Sequence, residues 1–216
     1  MKDEFAETRS IVERADPEER QKVLAECFMA HWKRLRLFID LRMDRRLCGV
    51  VAPSDVLQET FLVASKRLGE YSNDPKVPLF LWLRLLAGQK LHELYDQHFG
   101  VQKRDARRTV SLDAGVIPGA SSVALAERLV HEAASPSELA MQSEKRERVK
   151  QAIDAMDPMD REILALRFYE SLSSAEAARA LSIKEETARK RYLRSMKRLK
   201  ELLTSSADDP SQAWRE

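Results

Sequence analysis

Prolines punctuate this chain at Pro17, Pro53, Pro75, Pro78, Pro118, Pro136, Pro158 and Pro210, mostly between stretches of helical apolar spacing rather than inside them. A proline inside a helix removes an amide donor and clashes with the preceding turn, so this placement divides the chain into separate helices. Only six of the 216 residues are glycine, which argues against glycine-rich phosphate loops and turn-rich β architectures. The expected fold class is therefore all-α. Residues 18–48 read as one long helix or two, with Val23, Leu24, Cys27, Phe28, His31, Leu35, Phe38 and Ile39 recurring at three and four. Ser54 or Asp55 opens the next helix, running to about Leu68, and the polar stretch 69–78 reads as a loop. A further helix runs from about Leu79 to His98 and stops at Gly100; Gly88 inside it points to close helix packing.

Helical spacing fails between Thr109 and Ser137, apart from a short candidate at Val123–Glu132. The chain is accordingly expected to form two small helical domains, at 18–108 and 141–203, joined by a flexible linker at 109–140. An acidic segment, 1–17, precedes them and a tail, 204–216, follows; both have the composition of mobile ends. Asp157-Pro158 is a helix start with proline at the first position. Ser173–Glu176 and Ser182–Glu185 have the spacing of capping boxes, opening a helix of about two turns and then a long basic one. Short helix, tight turn and long basic helix make a helix-turn-helix pattern. Ser182 stands where that turn often has glycine, and a left-handed backbone there is costlier for serine.

The net charge is +2, but its distribution is uneven. His31–Arg46 holds six basic and two acidic residues, Arg84–Arg108 six and three, and Ala175–Leu203 nine and four, whereas the first twenty residues hold seven acidic and four basic. Such patches suit a polyanion binder. No apolar run approaches the roughly 20 residues of a membrane span, and Met1–Asp16 lacks the apolar stretch of a secretory signal, so a cytoplasmic protein without membrane insertion is expected. Cys27 and Cys48 form no disulfide framework. The four histidines make no metal constellation; Cys27 and His31, one helical turn apart, are two ligands without two more. No nucleophile–base pair, P-loop or carboxylate cluster suggests an enzyme, and no cofactor or metal is expected.

On the long basic helix, Ala188, Tyr192, Ser195, Leu199 and Leu202 form one stripe, expected to pack on Ala177, Ala178 and Leu181 of the helix before it. The opposite face presents Glu186, Thr187, Arg189, Lys190, Leu193, Arg194 and Lys197, where a major-groove helix offers side chains to base edges and phosphates. A charged run of this kind is also compatible with a plain solvated face. In the first domain, Asp55, Gln58, Glu59 and Leu62 share one helix face at i, i+3, i+4 and i+7.

Leu172–Leu203 resembles domain 4 of the bacterial RNA polymerase sigma factors, and Ser54–Phe61 (SDVLQETF), followed by Phe80-Leu81-Trp82-Leu83, resembles their domain 2. The two occur in the expected order. Because 216 residues leave no room for a third sigma domain, the resemblance is to the two-domain, extracytoplasmic-function type. It implies RNA polymerase core, through its β′ clamp and β flap, and promoter DNA as partners; an anti-sigma factor is typical of the group. Asp55, Gln58, Glu59 and Leu62 would meet the clamp, and the basic helix the −35 element. The loop after the first motif would hold an unstacked base of the −10 element, with Tyr71 as the stacking candidate and Gln89 and Lys90 on the adjoining helix. Trp82, among Phe80, Leu81, Leu83, Leu85 and Leu86, is expected in the hydrophobic interior. Lys103, Arg104, Arg107 and Arg108 would hold phosphates. The alternative is a stand-alone helix-turn-helix regulator that dimerises through its N-terminal domain.

Overall fold

The computed structural model describes residues 16–99, 109–112, 115–132 and 139–205. Their regular elements are helices apart from one short hairpin, and they divide into two compact units, one made of the residues up to Pro118 with Arg179–Ser182 and the other of Gly119–Ala178 with the residues from Ile183.

The first unit contains α1 (Pro17–Ala30), α2 (Trp32–Arg42), α3 (Pro53–Asn73), α4 (Leu79–Phe99) and the antiparallel strands β1 (Thr109–Leu112) and β2 (Gly115–Pro118). Asp16 caps α1 by accepting the Glu18 and Glu19 amides, with proline at the first position. The stretch 18–48 thus resolves into two helices, broken at His31, whose ring lies 4.6 Å from that of Phe80. Helix α4 packs against α1, α2, α3 and β2. Its first turns are buried almost all round, from Leu79 to Arg84 and again at Leu86, Ala87 and Gly88, which is why they carry no polar face. Arg84 is only 2% exposed, and both it and Arg42 lie 4.5 Å from the Phe38 ring.

Helix α3 runs five residues past the expected stop at Leu68. Gly69 costs a helix interior about 1 kcal/mol, but burial of Leu68, Tyr71 and Ser72 holds the last turn in place. Tyr71 is therefore not in an open loop. It is 5% exposed, stacks on Trp82 with ring centroids 4.7 Å apart, and donates its hydroxyl to the Val77 carbonyl at 2.8 Å. Trp82 is interior, at 8% exposed.

The stretch expected to join the domains, 109–140, holds ordered elements. Val110, Val116 and Ile117 favour extended backbone, and the hairpin they occupy belongs with the first unit. Helix α5 (Ser122–Glu132) packs on α6 (Leu139–Asp154) within the second unit. Next come α7 (Pro158–Leu164), a π turn at Ala165–Tyr169, α8 (Ser174–Ala180) and α9 (Glu185–Ser205). Asp157 caps α7 through the Met159 amide at 2.9 Å. The Tyr169 hydroxyl ties the π turn to the Leu125 carbonyl of α5, and the Glu162 carboxylate of α7 accepts the Ala120 amide.

Of the two expected capping boxes, one forms. The Ser173 amide donates to Glu176 at 2.7 Å, and the Glu176 amide to Ser173 Oγ at 3.1 Å. Ser182 instead ends α8. Its φ of 53° is left-handed, the Ile183 amide reaches the Ala178 carbonyl, and the Ser182 amide reaches that of Arg179. This is the Schellman closure of a helix C-terminus, and it leaves Lys184 at the entry of α9. Serine stands where glycine would be unstrained.

Replacing Ser182 by glycine should therefore stabilise the protein by about 0.5–1 kcal/mol in urea unfolding. An unchanged or lower stability would contradict the left-handed backbone at this position. Tyr71→Phe should cost about 1 kcal/mol through the lost bond to Val77, while the Trp82 fluorescence stays that of a buried indole. An unchanged midpoint would remove that hydrogen bond from the account.

Candidate nucleic-acid interface

Helix α9 carries the largest basic face of the second unit. Ala188 and Ser195 are fully buried and Leu199 nearly so, with Tyr192 and Leu202 half-buried, so the stripe expected from the spacing is the one that packs. The Ser195 hydroxyl is satisfied inside the helix, donating to the Arg191 carbonyl at 2.8 Å. The most extensive packing of α9 is on α7 and α6, rather than on α8 as its apolar stripe suggested. A two-turn helix entering through a tight turn offers little length to lie along.

That packing turns Glu186, Thr187, Arg189, Lys190, Leu193, Arg194 and Lys197 outward, and all seven are exposed. Leu193, at 63% exposed, is an apolar residue in the middle of the basic face. Lys190 pairs with Glu186 at 3.0 Å and Lys197 with Glu201 at 3.9 Å, each between exposed partners one turn apart. Such pairs contribute little and leave the cations available to an anion. The charge of this face is the kind that attracts phosphates without regard to sequence.

An ion pair between α9 and α7 adds to this packing, and local spacing in the sequence does not reveal it. Arg191 Nη1 donates to Asp160 Oδ1 of α7 at 2.8 Å, and Arg194 Nη2 lies 3.6 Å from the same oxygen. Asp160 is 9% exposed. Arg191 and Asp160 are 31 positions apart, and neither belongs to a local motif. The only hint was the pair of arginines three apart, one of them off the outward face.

In the first unit, Asp55, Gln58, Glu59 and Leu62 are all exposed along α3, while Val56, Leu57 and Thr60 turn inward. Asp55 also accepts the Ala52 amide at 3.3 Å and so steadies the start of the helix. Glu59 is engaged with Lys90 of α4 at 2.6 Å. Its carboxylate raises the Lys90 ammonium above the usual lysine range, against the opposing effect of burial. Lys90 is thus a partly buried partner of Glu59 as well as a basic residue of α4. Gln89 beside it is half-buried. Lys103, Arg104, Arg107 and Arg108 lie outside the described residues. Tyr71 is withdrawn from the surface by Trp82 and Val77, so it does not offer a free ring for base stacking.

Among the described residues, no group of three or more His, Cys, Asp or Glu side chains is placed to hold a metal ion. No described helix is long and apolar enough to cross a membrane.

Part of this chain is similar to a known family. Residues 146–199 match the family described as Sigma-70, region 4, a span that runs from α6 through α8 into most of α9. The chain is 26% identical over 162 residues to the ECF RNA polymerase sigma factor BldN of Streptomyces coelicolor (strain ATCC BAA-471 / A3(2) / M145). That alignment covers 75% of this chain and 54% of BldN, so the chain spans about half the length of the curated relative it matches. A solved structure of CnrH in complex with the cytosolic domain of CnrY is similar at a TM-score of 0.47 and 20% identity, covering 95% of this chain and 99% of that one. Residues 146–199 are thus similar to sigma-70 region 4, and three quarters of the chain is similar to part of an ECF RNA polymerase sigma factor.

Proposed function

We propose that this protein is a promoter-specificity subunit of RNA polymerase, binding the polymerase core and directing initiation at promoters with −10 and −35 elements. The reading rests above all on the outward basic face of α9, which lies within the stretch that matches sigma-70 region 4. In this role Arg189 and Arg194 read base edges of the −35 element, while Lys190 and Lys197 meet phosphates.

The first unit supplies the polymerase contact and the −10 contact. Asp55, Gln58, Glu59 and Leu62 form an exposed acidic and amide face that suits a basic surface such as the β′ clamp. Gln89 and Lys90 serve the −10 element from α4, with Lys103, Arg104, Arg107 and Arg108 on phosphates beyond it. Each contact is weak alone. Docking on the polymerase raises the effective concentration of both DNA-reading surfaces, and their sum offsets a cost of a few kcal/mol per unstacked base step.

Arg189→Ala or Arg194→Ala should each cost roughly 1–3 kcal/mol if the arginine makes a bidentate base contact, and should relax sequence choice at one position. Unchanged promoter preference after both substitutions would remove them from the reading surface. Combined Asp55→Ala, Gln58→Ala and Glu59→Ala should weaken binding to polymerase core at least tenfold, about 1.4 kcal/mol or more, with the circular dichroism of a folded helical protein retained. Normal affinity in that triple variant would refute the docking face.

A further inference from the structure

We propose that Asp160 is a specificity-determining positioning residue, which holds the guanidinium of Arg194 in the orientation needed to read a base. The proposal rests on the reading of α9 as the DNA-contacting helix. Asp160 sits in the first turn of α7, behind α9, and its side chain is 12% exposed. One of its oxygens accepts Arg191 at 2.8 Å and lies 3.6 Å from Arg194. The Arg191 side chain is 27% exposed and that of Arg194 is 65%, so the carboxylate touches one anchoring arginine and one that projects beyond it.

Guanidinium geometry makes this arrangement consequential. Arginine carries five N–H donors in a planar fork, so an edge turned toward Asp160 leaves other donors free for a base edge. Bidentate contact with a guanine requires the plane of that fork to match the plane of the base. An arginine already restrained from behind loses less freedom on binding than one that sweeps through solvent. The carboxylate also reduces the net charge at Arg194, which weakens its pull on phosphates of any sequence relative to a directional base contact.

The pairs Glu186–Lys190 and Glu201–Lys197 cannot act in this way, because both partners ride on α9 and are exposed. Asp160 is different because it belongs to another helix and is itself held by Arg191. Asp160 and Arg194 line one open groove together with Ala155, Met156, Asp157, Lys197, Arg198 and Glu201.

The test uses polymerase holoenzyme reconstituted with the full chain and a promoter library randomised through the upstream element. Wild type, Asp160→Asn, Arg194→Ala and the double variant are compared by position-specific enrichment. Asp160→Asn should lower base discrimination at least about fivefold, the lower end of one bidentate contact, at the same position that Arg194→Ala affects. The double variant should lose no more there than Arg194→Ala alone. A discrimination profile unchanged in Asp160→Asn, while Arg194→Ala flattens one position, would overturn the proposal and leave the reading of α9 standing. So would a uniform loss of binding to all sequences, the mark of a merely structural role. A wild-type holoenzyme with no preference in the upstream element would instead overturn the reading of α9 itself. Should Asp160→Asn fail to fold, arginine side-chain NMR of the wild type decides the matter. The Arg194 guanidinium should be more restricted than that of Arg189, and equal mobility would overturn the proposal.

Discussion

Arg191 reaches from α9 to Asp160 of α7 at 2.8 Å, and Ala188, Ser195 and Leu199 are buried beneath the same helix. Burial of that stripe stops α9 from rolling about its axis. At 100° per residue, fixing that roll also fixes which residues face outward, so the presentation of Arg189, Lys190, Arg194 and Lys197 depends on it. A part-buried ion pair gains little stability overall, because desolvating the charges offsets much of their attraction. Its value here is geometric. Ser182 works to the same end at the start of the helix, where a left-handed residue closes α8 and redirects the chain.

In the first unit the equivalent constraint is the burial of α4. Four elements pack on this helix and its first turns are buried, so the outward surfaces of the unit come from its neighbours and from its own later turns. The Glu59–Lys90 pair joins α3 to α4 at the boundary between the face read as polymerase-docking and the helix read as serving the −10 element. Tyr71 and Trp82 stack beneath the segment that connects these helices, and the Tyr71 hydroxyl fixes its Val77 carbonyl.

Periodicity revealed much of this in advance. The stripe on α9, the exposed positions of α3, the burial of Trp82 and the Asp157-Pro158 start all follow from local spacing, and local spacing survives folding. The errors have physical causes. Tyr71 sits in a run of turn-forming residues, yet burying its ring with the side chains of Leu68 and Ser72 extends α3 past Gly69, which tertiary packing can impose and composition cannot show. Ser182 fits an N-cap pattern, but the preceding helix claims it first, because the carbonyls of Ala178 and Arg179 need donors. The hairpin at 109–118 was masked by the glycine and proline around it. Asp160 was out of reach of any local rule, since its partners lie across the fold.

On the proposed function, the two units make separate contacts that the polymerase renders simultaneous. The most direct measurement is a gel shift of the full chain on a promoter fragment, with and without RNA polymerase core, together with the oligomeric state of the bound protein. The account predicts a sequence-specific complex that forms readily only with the core and contains one copy of this chain. A tight dimer on an inverted repeat, formed without the core and accompanied by no binding to it, would contradict the account.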